Sequence, residues 1–203
     1  MTDYLPIVYD TNAKTLSLSE DVKLSDYKDL NLEITQLNTL IKDLINSNYD
    51  VPPPPTKESY TKNLSMMIKK MHASAVASMR AKKFSEAAKQ FTVALGLSTA
   101  RFKFESFQGT ITEVMINLAG RADANMMMGQ WLDAYLDCDL MCTLAANVPE
   151  NHLRKGICNV KLGNLQEAKS DYERGLCFGA DHPRLLGELA NVNKLIAEEN
   201  GEL

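Results

Sequence analysis

Histidine and tryptophan are nearly missing from these 203 residues, which hold three of the first and one of the second. The three histidines, His72, His152 and His182, are scattered, and no Ser/His/Asp spacing or nucleophile elbow surrounds them. A phosphate-binding glycine loop is missing too, in a chain with only 10 glycines. Together these absences argue against an enzyme and call for no cofactor. No Cys-x-x-Cys pair occurs: Cys138, Cys142, Cys158 and Cys177 are spaced like core positions of helices, as reduced buried thiols. A zinc site recruiting His152 is the weaker reading, so no metal is expected. The N-terminus carries Asp3 and Asp10 and no continuous apolar stretch, so it does not read as a signal peptide. No run of about 18 apolar residues occurs, so contact with a membrane goes through a partner. Basic residues do not dominate either: 22 against 26 acidic gives a net charge of −4, which disfavours nucleic acid.

What the chain does have is a period. Gly129-Gln130-Trp131-Leu132-Asp133-Ala134 returns 34 residues later as Gly163-Asn164-Leu165-Gln166-Glu167-Ala168, and Lys82-Lys83-Phe84-Ser85-Glu86-Ala87 is an upstream copy. Thirty-four residues is the period of the tetratricopeptide (TPR) helix–turn–helix repeat. Ala87, Ala134 and Ala168 fall where two helices approach too closely for a larger side chain. Phe91, Cys138 and Tyr172 follow one turn later, and the small Ala75, Ala122 and Gly156 sit nine residues before each turn aromatic or leucine. Gly129 and Gly163 lie just past a first helix, where a left-handed C-cap favours glycine. The first interval, Phe84 to Trp131, is 13 residues too long. The excess falls at 98–112, read as an extended second helix plus a loop. Its Phe102, Phe104 and Phe107 are too apolar for a free loop and pack on a repeat or on a partner.

The fold is therefore mainly α: three TPR-like hairpins, a C-terminal capping helix, and a small N-terminal hairpin-and-helix segment. Residues 1–50 alternate around Asp10-Thr11-Asn12-Ala13 as a β-hairpin, then carry a helical stripe of Leu30, Ile34, Leu37, Leu40, Ile41, Leu44 and Ile45. An isolated hairpin is barely stable, so this module needs something to pack on. Ile7, Val8, Leu16 and Leu18 are the hairpin residues expected to meet a partner. Residues 51–59, with Pro52 to Pro55, are a stiff linker rather than an SH3 or WW ligand, since Lys57 is the only nearby cation. Thr56 or Ser59 caps the next helix. Residues 60–203 hold the repeats, closed by a helix from Pro183 to Glu199. Residues 1–55 carry 4 basic and 9 acidic side chains, so an acidic segment precedes a near-neutral repeat domain.

A TPR array presents the first helix of each pair to a concave groove. In co-chaperone TPR domains this groove clamps a chaperone tail ending Glu-Glu-Val-Asp through Lys, Arg and Asn. Here only Arg154 matches a clamp position. His72, Val76, Gly120, Met127 and Glu150 stand at the others. Lys69, His72, Asn117, Arg154 and Lys161 are the candidate groove residues, with Met126-Met127-Met128 an adaptable apolar wall. Equally, the methionines are core and Arg154 is a surface ion pair.

Leu64-Ser65-Met66-Met67-Ile68-Lys69-Lys70, then Arg154-Lys155, Lys161-Leu162 and Glu173-Arg174-Gly175-Leu176, and the ending Ala197-Glu198-Glu199-Asn200-Gly201-Glu202 follow in one order. In that order the chain resembles the small cytosolic TPR subunit of the fungal Sec complex, across nearly its whole length, with the second repeat departing most. The resemblance implies a non-enzymatic adaptor at the cytosolic face of the endoplasmic reticulum membrane, serving post-translational protein import. It implies a single-span membrane subunit as direct partner. The J-domain subunit and the translocation channel are reached through that partner, and heat-shock chaperones dock in the groove. The alternative is a free cytosolic co-chaperone or peptide adaptor.

Overall fold

The structure, a computed structural model, describes residues 6–54, 56 and 61–202. It divides into two compact units. One comprises residues 1–60 together with Phe102–Ser106; the other holds Thr61–Arg101 and Phe107–Leu203.

In the first unit β1 (Ile7–Asp10) pairs antiparallel with β2 (Thr15–Leu18), Ile7 opposite Leu18 and Tyr9 opposite Leu16. Directly opposed residues share a face, so Ile7, Tyr9, Leu16 and Leu18 point one way and Val8 the other. Asp10 makes the turn: its Oδ1 accepts the N–H of Asn12 at 2.8 Å and of Ala13 at 3.0 Å. These bonds favour the ionised form and hold its carboxyl below the usual range. A short 3-10 turn precedes α1 (Lys28–Ser47), which ends on Asn48 in the left-handed region, at φ 55°. On α1, Ile34 is buried, Leu30, Leu40, Ile41 and Leu44 are half-buried, and Leu37 and Ile45 stay exposed. Asn38 then does what a third strand would do. Its Oδ1 accepts the Leu16 N–H and its Nδ2 donates to the Leu16 carbonyl, both at 2.8 Å, closing the open edge of β2.

Phe102–Ser106 belongs to this unit although it lies inside the 60–203 span. Phe102 and Phe104 stack, with centroids 5.1 Å apart. The Lys103 backbone N–H donates to Gln36 Oε1 at 3.2 Å, and its ammonium pairs with Glu33. The two phenylalanines thus pack in the N-terminal unit. Phe107, at 69% exposure, stays in solvent. The insertion also differs from expectation in where its length goes. The helix before the insertion stops at Thr99, while the first helix after it, Phe107–Met127, reaches 21 residues against 14 for its counterpart Pro149–Leu162.

The second unit contains α2 (Lys62–Arg80), α3 (Phe84–Thr99), α4 (Phe107–Met127), α5 (Trp131–Leu144), α6 (Pro149–Leu162), α7 (Leu165–Phe178) and α8 (Pro183–Glu199). Thr61 stands at the N-cap of α2, while Pro55, Lys57 and Ser59 of the expected linker and cap lie outside the described residues. The three hairpin turns are alike. Lys83, Gln130 and Asn164 each donate a backbone N–H to the carbonyl five residues back, on Ser78, Asn125 and Asn159, all at 2.9 Å. The residue before each donor is left-handed: Lys82 at φ 59°, Gly129 at 74° and Gly163 at 84°. These are Schellman caps, and they return the chain antiparallel.

Ala87, Ala134 and Ala168 are fully buried, as are Ala75 and Ala122. The periodicity therefore has the right register. Phe91 and Tyr172 fill the first and third repeats, where Cβ atoms at Gly120 and Gly156 would strike their rings. Cys138 is smaller, and the middle core adds Met141, Leu118, Leu95 and Cys158. α8 packs Leu185 and Val192 against α6 and α7, sealing the last repeat. Pro183 opens α8, and the His182 side chain accepts the Leu185 N–H.

Candidate functional site

First helices lie next to first helices in a TPR stack: α2 packs beside α4 and α6 beside α8, and Arg154 of α6 reaches Asp123 of α4, so these helices form one face. The five residues expected to line this face fare differently. Lys69 is exposed on α2. Lys161 is exposed on α6, its ammonium 5.9 Å from the Trp131 ring centroid.

His72 and Asn117 are brought together. Asn117 is fully buried, its Nδ2 donates to the Glu113 carbonyl at 2.8 Å, and its Oδ1 stands 3.0 Å from His72 Nδ1. Since Oδ1 can only accept, Nδ1 carries the proton, and Nε2 is the acceptor of the neutral ring. Asn117 thus orients His72, which also meets Phe91 edge-on at 5.6 Å.

Arg154 is held by an acid from the neighbouring first helix. Its Nε donates to Asp123 Oδ1 at 2.8 Å and its Nη2 to Oδ2 at 3.3 Å, with the side chains 27% and 42% exposed. Burial works against the guanidinium charge, but Asp123 outweighs it and the Arg154 pKa rises. Glu150, one turn before Arg154, adds a second negative charge. Its carboxyl lies below the usual range through its own backbone N–H and the His182 side chain, 3.3 Å away. The acids of this face therefore crowd around its one clamp-like arginine.

Beneath the face lies a buried ion pair. Arg101 Nη2 reaches Glu113 Oε2 at 2.7 Å, its Nε reaches the same oxygen at 3.0 Å, and Ser65 Oγ donates to Oε1 at 2.6 Å. On the opposite, second-helix side, Arg121 grips Asp137 through two nitrogens, at 2.8 and 2.6 Å. One period later Lys155 stands near Asp171, at 3.7 Å, and Asp139, at 2.8 Å. Burial raises the Asp171 carboxyl pKa despite Lys155 and Asn159.

The cysteines are free thiols: Cys138 and Cys158 are buried, Cys142 is half-buried, and Cys177 is exposed rather than buried. His152 Nε2 donates to the Ala146 carbonyl at 2.8 Å, leaving Nδ1 to accept from Cys142 Sγ at 3.7 Å. Burial pushes the Cys142 thiol up to about 11, so it stays protonated and unreactive. Among the described residues no three His, Cys, Asp or Glu gather as metal ligands, and no helix is long and apolar enough to cross a membrane.

Asp123 was not singled out from the sequence. It lies 31 residues before Arg154, close to one period, and the repeat register that sets neighbouring first helices side by side is the one sequence signal toward it. Asn38 has no comparable signal, because its partner is a backbone edge.

No protein-family profile matches the chain. It is 29% identical to "Translocation protein SEC72" of Saccharomyces cerevisiae over 96% of its own length and 97% of that protein. It is 26% identical to the "ER protein translocation subcomplex subunit sec67" of Schizosaccharomyces pombe, over 89% and 91%. Its fold matches a chain in the cryo-EM structure of the S. cerevisiae Sec complex with a TM-score of 0.68 and 28% identity, covering 96% of this chain and 99% of that one. The first TPR domain of Spaghetti (RPAP3), solved with an HSP90 peptide, matches 69% of the chain and 98% of itself at TM-score 0.55 and 19% identity, which shows the shared TPR fold. The resemblance to the small TPR subunit of the fungal Sec complex thus spans both units.

Proposed function

We propose that the chain is a non-enzymatic adaptor subunit of a Sec-type complex, serving post-translational import into the endoplasmic reticulum from the cytosolic face of the membrane. One observation carries this reading: the likeness to two yeast translocation subunits runs from end to end, including the N-terminal unit that a generic TPR protein would not share. That unit leaves Val8, Tyr9, Leu24, Leu32, Leu37 and Ile45 exposed, apolar side chains that suit a partner's contact. A single-span membrane subunit covers it, with Val8 on the outer face of the hairpin and Ile7, Leu16 and Leu18 at its half-buried inner face. Through that subunit the chain reaches the J-domain subunit and the channel.

In this reading the first-helix face docks the C-terminal tails of cytosolic heat-shock chaperones, with Lys69 and Lys161 meeting carboxylates and His72, set by Asn117, meeting the peptide backbone, while Arg154 lies in the groove paired with Asp123. TPR domains of the same fold have been solved with HSP90 and HSP70 peptides. The test is recovery of the tagged protein from gently solubilised yeast microsomes, followed by mass spectrometry. Stoichiometric recovery of a single-span subunit and the channel is the expected result. Chaperones with no membrane protein would instead make it a free co-chaperone.

A further inference from the structure

The Arg154 fork is not open to a ligand. Asp123 engages two of its nitrogens in the geometry a peptide carboxylate would use, and Glu150 adds its charge nearby. A ligand carboxylate arriving here has to displace a carboxylate already bound, exchanging one charge-assisted pair for another, so little net energy remains. Lys69 and Lys161 are exposed and hold no such partner among the described residues. The same helices carry Val76, Met126, Ile157 and Val160, half-buried and packed against the repeat cores.

We propose that Asp123 is a resident carboxylate that occupies Arg154 and sets the specificity of the groove. It weakens tails that anchor through a carboxylate at this point and favours peptides that are apolar there, with acids only toward Lys69 or Lys161. This rests on the groove being a tail-docking site. Asp123 is a positioning and specificity residue, acting through Arg154.

The experiment is fluorescence anisotropy on the full chain with a labelled peptide ending Glu-Glu-Val-Asp. It compares the parent, Asp123→Asn and Asp123→Asn/Arg154→Ala, with thermal melting of each and Asp123→Ser as a second release variant. Freeing the fork should tighten binding about tenfold, the worth of one charge-assisted hydrogen bond, and Arg154→Ala should erase that gain. Equal affinity of the parent and both release variants overturns the proposal and leaves docking intact. A gain that survives loss of Arg154 overturns it as well. Binding by the release variants alone upholds it while removing acidic-tail docking from the parent protein. Binding by none overturns both.

Discussion

The ring of Tyr172 occupies the space that Gly156 leaves empty: a Cβ at 156 would lie 2.2 Å from Cε1. The close approach of α6 and α7 depends on that pair. Gly156→Ala should therefore destabilise the protein by about 1–3 kcal/mol through overpacking. Gly187→Ala, in α8 with nothing within 4 Å of the new atom, should stabilise by about 0.5–1 kcal/mol by favouring helix. Urea titration of both variants checks the opposite signs.

The Tyr172 hydroxyl is buried with no hydrogen-bond partner among the described residues, and burial drives its pKa upward. Such a group costs desolvation without recompense. Tyr172→Phe should raise stability by about 1 kcal/mol, read as a higher denaturation midpoint at unchanged slope. A lower midpoint would mean that the hydroxyl is solvated.

Lys82 occupies the left-handed position that Gly129 and Gly163 hold in the other two turns. A side chain there is strained, and Lys82→Gly should add about 1 kcal/mol. Gly163→Ala should lose about as much. Paired melting curves decide, and a destabilised Lys82→Gly would locate an unrecognised contact of the lysine stem.

Glu113→Gln should be the costliest of these changes, at about 3 kcal/mol, because it removes one charge from a buried, bidentate ion pair. Arg101 is 5% exposed and Glu113 9%, so water cannot take over. Ser65→Ala, which removes one hydrogen bond to the pair, should cost about 1 kcal/mol. Calorimetry of the two variants gives the comparison.

Features set by local or periodic chemistry were legible in the sequence. The three alanines, the Gly129 and Gly163 caps, the Asp10 turn and the Pro183 start of α8 follow from neighbours within a few residues or from the 34-residue register. Pairings across the repeats were not. Nothing near Arg154 indicates Asp123, and Arg101 and Glu113 look like ordinary surface charges until α2 and α4 bury them. The 98–112 excess was visible as length, but helix α3 did not absorb it. The chain instead gave α3 16 residues against 14 in α5 and α7, started α4 two turns early, and set two phenylalanines into the other unit. Asn117 reads as a groove residue by its place on α4, while the structure gives it the inner role of holding His72.

Phe102–Ser106 gives the N-terminal unit a discontinuous chain. A ribosome releases residues 6–54 long before it releases 102–106, and α2 and α3 emerge between them. The unit cannot be completed until the first repeat has left the exit tunnel, so vectorial synthesis does not let it finish first. Its exposed hairpin and helix must wait, with Val8, Tyr9, Leu37 and Ile45 open to solvent, which favours a chaperone attending the nascent chain. A fragment cut at the proline linker would sever a unit that is sequential only in appearance.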